Sequence, residues 1–540
     1  MIKIIYEING GDIAIVFEVL FLGVYPFELI NNSPKQTILL YGVTGSGKTE
    51  VYLRAIAGIL EKKQSAIALV PEISLTPQLV RRFRDRLKDH IAILHSGLTI
   101  KERDQEWQRA AEGSAQIVLG TRSAIFAPLS NLGLVVLDEE YETTYKQEKN
   151  PRYHVRDIAE QLGVTVVLGS ATPSIETFYK AQTDIYKMAT LPERIDNRPL
   201  PPVEVVDMRE EKAWMLSKKL RQEIKETLSR GEKVILFLNR RGYFTSAQCK
   251  ECGQVVECPK CSVALVYHAS VKKLICGHCG FTAEAQVICP NCQKASISFH
   301  GIGTQRIENE VAQVYPQAKI IRLDRDVVAK RGSHEVSFAA FAEGEANVLI
   351  GTQLVTKGMD VAQVTLVGVV SADTSLNLPD FRAAERTFQQ LTQVAGRAGR
   401  HHLPGKVIIQ TYNPEHYAIK FASSHDYEGF YREELKEREE LFYPPFSRLI
   451  NLIVSGRDNN KAKKIAEDLA QLIKFPPGKY QLLGPAPAPI AKIRGQYRYF
   501  ILLKGEKIDP LREAVGTALK KLVSPLDVRI NMDIDPLDML

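Results

Sequence analysis

Gly42-Val43-Thr44-Gly45-Ser46-Gly47-Lys48-Thr49 sets three glycines around a lysine and a hydroxyl. A strand-like run precedes it and a helical run follows. In that setting the glycines let backbone N–H groups wrap phosphates, and the helix N-terminus adds positive charge. Lys48 is then the contact to the β and γ phosphates of a nucleoside triphosphate, and Thr49 the hydroxyl on its Mg²⁺. Ninety residues beyond Lys48, Asp138 and Glu139 follow the apolar run Leu134–Leu137. A carboxylate pair at the end of a buried strand suits metal binding through water (Asp138) and activation of the attacking water (Glu139). A third group is Gln393-Val394-Ala395-Gly396-Arg397-Ala398-Gly399-Arg400. Gln393 would touch the nucleotide. Arg397 and Arg400, read as three apart on one helix face, would stabilise charge developing on the transferred phosphoryl group.

Eight cysteines all fall between Cys249 and Cys292, as four CxxC pairs. Clustered pairs point to metal rather than disulfides, and each pair offers two thiolates to a tetrahedral zinc ion. Two four-cysteine sites follow, with three possible pairings. Fourteen residues separate Cys261 from Cys276, against five between the first two pairs and nine between the last two. Fourteen is close to a zinc-ribbon hairpin. The spacing therefore predicts an inner site of Cys258, Cys261, Cys276 and Cys279. The outer site is Cys249, Cys252, Cys289 and Cys292, which would bring the two ends of the block together. With every thiolate used, the ions have no open position for catalysis, and contact with DNA or recruitment of partners is the expected role.

These groups need rigid mounts. Thr37–Tyr41, Ile67–Val70, Ile91–Leu94, Gln116–Leu119, Leu134–Leu137 and Val164–Leu168 read as buried parallel strands, with helices such as Glu50–Lys62 and Pro77–Asp89 between them. A second set comprises Lys233–Leu238, Lys319–Leu323, Asn347–Ile350, Leu366–Val370 and Val407–Thr411. The expected fold class is α/β: two RecA-like lobes with parallel sheets, a zinc-binding insertion in the second lobe, and a small α+β C-terminal domain. The expected divisions are 1–35, a divergent or truncated start; 36–197, lobe 1; 198–248 with 293–425, lobe 2; 249–292, the zinc module; and 426–540, a linker helix and the last domain. In that last domain Leu449–Ser455 and Arg498–Lys504 read as strands.

The apolar fraction of 45% and charged fraction of 25% are those of an ordinary globular chain. The formal charge of +7 falls to +3 once eight thiolates and two zinc ions are counted (7 − 8 + 4). Any DNA binding must then come from local patches. Ile13–Ile30 is the one candidate for a membrane or export segment, but Glu18 interrupts it. It is read instead as a buried strand–turn segment or a divergent start, and the expected compartment is the cytoplasm.

The stretches GVTGSGKTE (42–50), LVPEISLTPQ (69–78), GTRSAIFAP (120–128), LDEEYETTYKQ (137–147), LGSATPS (168–174), FLNRRGY (237–243), GTQ (351–353) and QVAGRAGR (393–400), with the eight cysteines, resemble the PriA family of bacterial replication-restart helicases, in superfamily 2. GPAPAPIAKIRGQYRY (484–499) and DIDP (533–536) match as well. The resemblance implies a 3′→5′ DNA helicase using ATP with Mg²⁺ and carrying two Zn²⁺. It implies action on single-stranded and forked DNA, with single-stranded DNA-binding protein and primosome or helicase-loader proteins as partners, as a monomer without a membrane. Ser170, Ala171 and Thr172 would couple hydrolysis to lobe movement. Thr121, Arg122, Thr352 and Lys357 would lie near the DNA strand. Residues 145–156 would be an aromatic-rich loop that senses single strands. Its composition fits: Tyr145 and Tyr153 offer stacking faces, Lys146 and Arg156 phosphate contacts. Tyr141 and Met359 stand where the family carries histidines, and Tyr141 is expected to weaken the relay between DNA and nucleotide. Two rival readings are an RNA helicase or duplex translocase, and a DNA-binding scaffold without strong activity.

Overall fold

The computed structural model describes residues 26–72, 75–195, 199–211, 215–238, 247–249, 251–252, 254–259, 264–268, 272–276, 280–298, 304–323, 333–352, 361, 363–399 and 403–539. They form two compact units, dividing at Pro199–Leu200.

The first unit holds seven strands: β1 (Thr37–Gly42), β2 (Ser65–Leu69), β3 (Ile91–Leu94), β4 (Ile117–Gly120), β5 (Leu132–Asp138), β6 (Thr165–Ser170) and β7 (Lys187–Leu191). They pair in the order β3-β4-β2-β5-β6-β1-β7, every neighbour parallel. Such a sheet has both faces covered, which is why β2, β3, β4 and β6 are buried along their whole length and almost wholly apolar rather than alternating. The register sets Tyr41 opposite Ser170 and Asp138 opposite Gly169. The carboxyl ends of β5, β6 and β1 therefore lie side by side, and each carries one of the sequence motifs. Residues 26–32 are helical, not the strand–turn expected there, and Ile30 packs into the core of this unit. Residues 1–25 lie outside the described residues. Among the described residues no helix is long and apolar enough to cross a membrane.

The second unit opens with β8 (Val203–Asp207) and β9 (Lys233–Leu238). The cysteine block follows with five short strands: β10 (Gln248–Cys249), β11 (Val266–His268), β12 (Lys273–Ile275), β13 (Thr282–Glu284) and β14 (Ile297–Ser298). The lobe then resumes with β15 (Ile320–Leu323), β16 (Val348–Gly351), β17 (Val364–Ser371) and β18 (Lys406–Thr411). The lobe sheet is again parallel, in the order β15-β16-β9-β17-β18-β8. β10 pairs with β14 antiparallel, so the block enters and leaves the lobe through a two-stranded stem, while β11, β12 and β13 form a meander inside it.

The helix Tyr427–Glu440 leads to an antiparallel sheet of β19 (Arg448–Gly456), β20 (Tyr480–Ile493), β21 (Gln496–Gly505) and β22 (Val528–Ile534), ordered β20-β21-β19-β22. The helices Asn459–Leu472 and Ile508–Lys521 share one apolar core with it.

The sequence reading did not find β7, β8, β20 and β22. Each lies at a sheet edge, where half-exposure dilutes the apolar pattern. β20 contains Pro485, Pro487 and Pro489 and shifts register between Leu483 and Ala486 and between Pro487 and Lys492. An edge strand tolerates residues that cannot donate to a ladder.

Candidate active site

Gly45 and Gly47 adopt φ of 84° and 90°, which a residue with a Cβ resists. Their loop turns back over β1 and hands Lys48 to the start of the helix Lys48–Glu61. Lys48 Nζ donates to the carbonyl oxygens of Gly42 (2.8 Å) and Val43 (3.4 Å), so the ammonium is held inside the cradle it is expected to serve. Arg194, nearly buried beyond the end of β7, donates from Nε to Thr44 O at 3.1 Å and closes one side of the loop.

At the end of β5, Tyr52 donates to Asp138 Oδ1 at 2.9 Å. Burial raises the Asp138 carboxyl above its ordinary range, while Lys48 and the Tyr52 hydroxyl act against that shift. Burial and the Asp138 charge push the Tyr52 phenol well up, keeping it a donor. Tyr52 has no motif signal. Its place as the fifth residue of the helix, on the buried face, is what brings it there. Glu139 adopts φ of 50°, a bend that turns the chain off the strand end.

Glu140 is buried between the motifs. It accepts from Ser174 N (2.6 Å), Ser174 Oγ (3.2 Å) and Thr177 Oγ1 (2.9 Å). Arg156 Nη1 lies 3.5 Å from Glu140 Oε2 and donates to Thr177 Oγ1 at 2.7 Å. The carboxylate after the acidic pair Asp138-Glu139 thus ties that pair to the helix following Ser170-Ala171-Thr172. Ser170 is buried, and its Oγ accepts from Thr172 N at 2.9 Å.

The loop 145–156 differs from expectation. Tyr145 is buried at 1% exposure, with its hydroxyl 2.9 Å from Leu69 O and 2.6 Å from Asp138 O. Lys146 is buried as well. Arg122 Nη1 donates to Thr144 O (3.0 Å) and Lys146 O (2.8 Å), holding the turn from outside. Tyr145 thus braces β5 and Arg156 ties Glu140 to Thr177, where the sequence leads one to expect contacts to nucleic acid. Composition could not separate an inward tyrosine from an outward one. Tyr153 is half-buried and meets Phe126, which is 51% exposed, edge to face with centroids 5.2 Å apart. Thr121 is buried at the start of a 3₁₀ turn, and Thr352 follows β16 with its N–H bonded to Leu323 O. Lys357 lies outside the described residues.

In the second unit the helix Ala383–Ala395 carries Gln393, but it ends before the arginines. Gly396–Gly399 is a turn, with Gly399 at φ of 65° and its N–H bonded to Val364 O. A Cβ on Gly399 would stand 2.5 Å from Gly405 N, so the turn admits only glycine. The expectation of two arginines on one helix face is corrected to Arg397 on a tight turn, half-buried; Arg400 lies outside the described residues.

The thiols of Cys249, Cys252, Cys289 and Cys292 all lie within 4.8 Å of one another. Cys249 Sγ is 3.6 Å from Cys292 Sγ, and Cys252 Sγ is 3.6 Å from Cys289 Sγ. A tetrahedral zinc with ~2.3 Å bonds needs sulfurs about 3.8 Å apart, so this donor set fits the ion. Burial acts to raise the Cys249 thiol, but the Ser296 hydroxyl and the N–H groups of Cys252 and Glu251 bring it down to about 6. Cys258 and Cys276 are buried in the same cluster; Cys261 and Cys279 lie outside the described residues.

Four family models match in chain order. They are a DEAD/DEAH box helicase over 27–181, the PriA DNA helicase Cys-rich region over 258–283, a helicase conserved C-terminal domain over 291–402, and the primosomal protein N C-terminal domain over 439–537. Proteins named replication restart protein PriA match almost the whole chain. That of Treponema pallidum is 40% identical over 94% of this chain and 77% of its own. The chain belongs to the PriA family. The PriA protein of Bacillus subtilis is 44% identical over 95% of this chain, and that of Synechocystis 43% over 93%. This chain spans 65% and 62% of those two relatives' lengths.

Proposed function

We propose that the chain is an ATP-dependent 3′→5′ DNA helicase that remodels stalled or collapsed replication forks and promotes primosome assembly. The observation that carries the reading is the row of carboxyl ends β5-β6-β1, which sets Asp138-Glu139, Ser170-Ala171-Thr172 and the Lys48 loop side by side in the first unit. Lys48 holds the β and γ phosphates, Thr49 and Asp138 the Mg²⁺, and Glu139 the attacking water. Arg397 and Arg400 stabilise the transition-state charge. The family supports DNA as the track. Single-stranded DNA-binding protein and helicase loaders are the partners this reading implies. The cysteine block holds two Zn²⁺, the outer on Cys249, Cys252, Cys289 and Cys292, the inner on Cys258, Cys261, Cys276 and Cys279.

The test is ATP turnover with and without single-stranded DNA, beside strand displacement on forks labelled on either arm. DNA-stimulated turnover with 3′→5′ displacement is expected. Lys48→Ala should abolish hydrolysis with the fold intact, and Glu139→Gln should bind ATP without turning it over; normal turnover by either variant overturns the roles. Tight fork binding by the parent chain with no turnover would establish the scaffold reading instead.

A further inference from the structure

The helix that leads into the Arg397 turn is buried nearly all round, although Glu385, Arg386, Gln389 and Gln390 lie among its buried residues. Such groups stay out of water only where fixed partners replace it. Some of those partners lie within the lobe and others come from beyond it. Asp380, just before the helix, is fully buried, and Arg386 Nη1 donates to its Oδ2 at 2.9 Å. The same oxygen accepts from Met539 N at 3.2 Å, while Arg386 Nη2 donates to Leu537 O. Asp380 Oδ1 caps the chain by accepting from Arg382 N at 2.9 Å. On the next turn Glu385 takes Arg438 at 2.8 Å and Arg382 at 3.3 Å. Arg438 in turn bonds Glu434 (2.7 Å) and Pro444 O (3.1 Å). Phe381 stacks on Tyr443 with centroids 4.4 Å apart. Three carboxylates and three guanidiniums thus balance in one dry junction among lobe 2, the helix Tyr427–Glu440 and the segment Leu537–Met539, beyond β22.

We propose that Leu537–Met539, acting through Asp380 and Arg386, is a mount that fixes the rotation and height of the helix Ala383–Ala395, and so sets where Gln393 and Arg397 are presented. The inference rests on the transition-state role given above to Arg397. Arg386 and Gln393 are seven residues apart, two helical turns, so they share one face of a rigid rod. The rod's far end is held independently by the Gly399–Val364 bond. A helix gripped at both ends delivers its side chains without searching, and a small misplacement of such a group is costly to reaction rate. Arg386 and Asp380 are positioning residues, acting through the helix rather than on the nucleotide.

The experiment measures affinity of the full chain, with Mg²⁺ and an oligothymidylate, for fluorescent ADP alone and for ADP with aluminium fluoride. The ratio of the two constants does not depend on the fraction of folded protein. Arg386→Met is expected to leave ADP binding within about twofold of the parent and to weaken the aluminium fluoride complex by about 10- to 100-fold. Arg386→Lys, which keeps the charge, should recover most of the loss. Asp380→Asn, the same shape without the charge, gives the measurement should Arg386→Met fail to fold, and should weaken the mimic in the same direction. Ratios equal to the parent's in every Arg386 and Asp380 variant, beside a clear loss in Arg397→Ala, would overturn the mount. An unchanged ratio in Arg397→Ala would instead overturn the role of that arginine, and the mount's purpose with it.

Discussion

Tyr145 has one hydroxyl proton and two carbonyls within reach of it, at the ends of β2 and β5. It therefore joins the strand that carries Asp138-Glu139 to the strand beside it, immediately under the carboxylates. Burial and the surrounding carboxylates raise its phenol well above the ordinary value, so it remains a donor throughout the physiological range. Tyr145→Phe keeps the ring and removes the proton, at a cost of about 1–2 kcal/mol for a buried bond. The expected outcome is lowered ATP turnover with unchanged affinity for an oligothymidylate, measured by fluorescence anisotropy. A large loss of DNA affinity would mean that the hydroxyl contacts the nucleic acid after all. Aromatic residues in a basic loop read equally well as platform or as brace; burial decides between them, and burial is a property of the fold rather than of the loop.

Elements were legible in proportion to how completely they are buried. β1 to β6, the core of the lobe 2 sheet, and the two motif turns at β1 and β5 carry unbroken apolar runs, and spacing alone located them. Edge strands such as β8 are half-exposed along their whole length, and the strands of the cysteine block, two or three residues each, are too short to show a period. The block's outer pairing was nevertheless readable, because a ribbon spacing at Cys261–Cys276 leaves only the ends to meet. Metal analysis is expected to find two zinc ions per chain. Cys258→Ser should lose one ion and keep the outer site, whereas Cys249→Ser, at the stem, should loosen both. Four ligands drawn from Cys249, Cys252, Cys258 and Cys261 would contradict the nesting. His416 caps the helix Tyr417–Ser423 through Nδ1 and is pushed down to about 4 by burial. The folded ring is neutral while the unfolded one takes its proton near pH 6.5. Its contribution is complete above that pH and is lost as pH falls from about 6.5 toward 4, up to about 3 kcal/mol. His416→Asn keeps a capping side chain and should flatten that part of the pH–stability curve, read by thermal melts across the range.

At the scale of the whole chain, the first unit contains its own sheet, core and phosphate cradle, and the arginines belong to the second. A chain of residues 1–199 should fold, bind ATP by isothermal titration, and turn it over some 10³- to 10⁵-fold more slowly than the full chain, the range removed with an arginine finger. Turnover near the full rate would place the charge-stabilising group in the first unit. The stem of β10 and β14 carries a different consequence, for how the molecule is made. Gln248 faces Ser298 and Cys249 faces Ile297, so fifty residues of chain close on themselves at the point where they leave the lobe. Holding the ends of an open loop of that length together costs about 3.5 kcal/mol of chain entropy. A metal ion on Cys249, Cys252, Cys289 and Cys292 would meet that cost locally. With it bound, β9 and β16 would find each other as though joined by a far shorter connection. Refolding in the presence of a chelator should therefore slow at the second sheet while leaving the first unit's folding rate untouched.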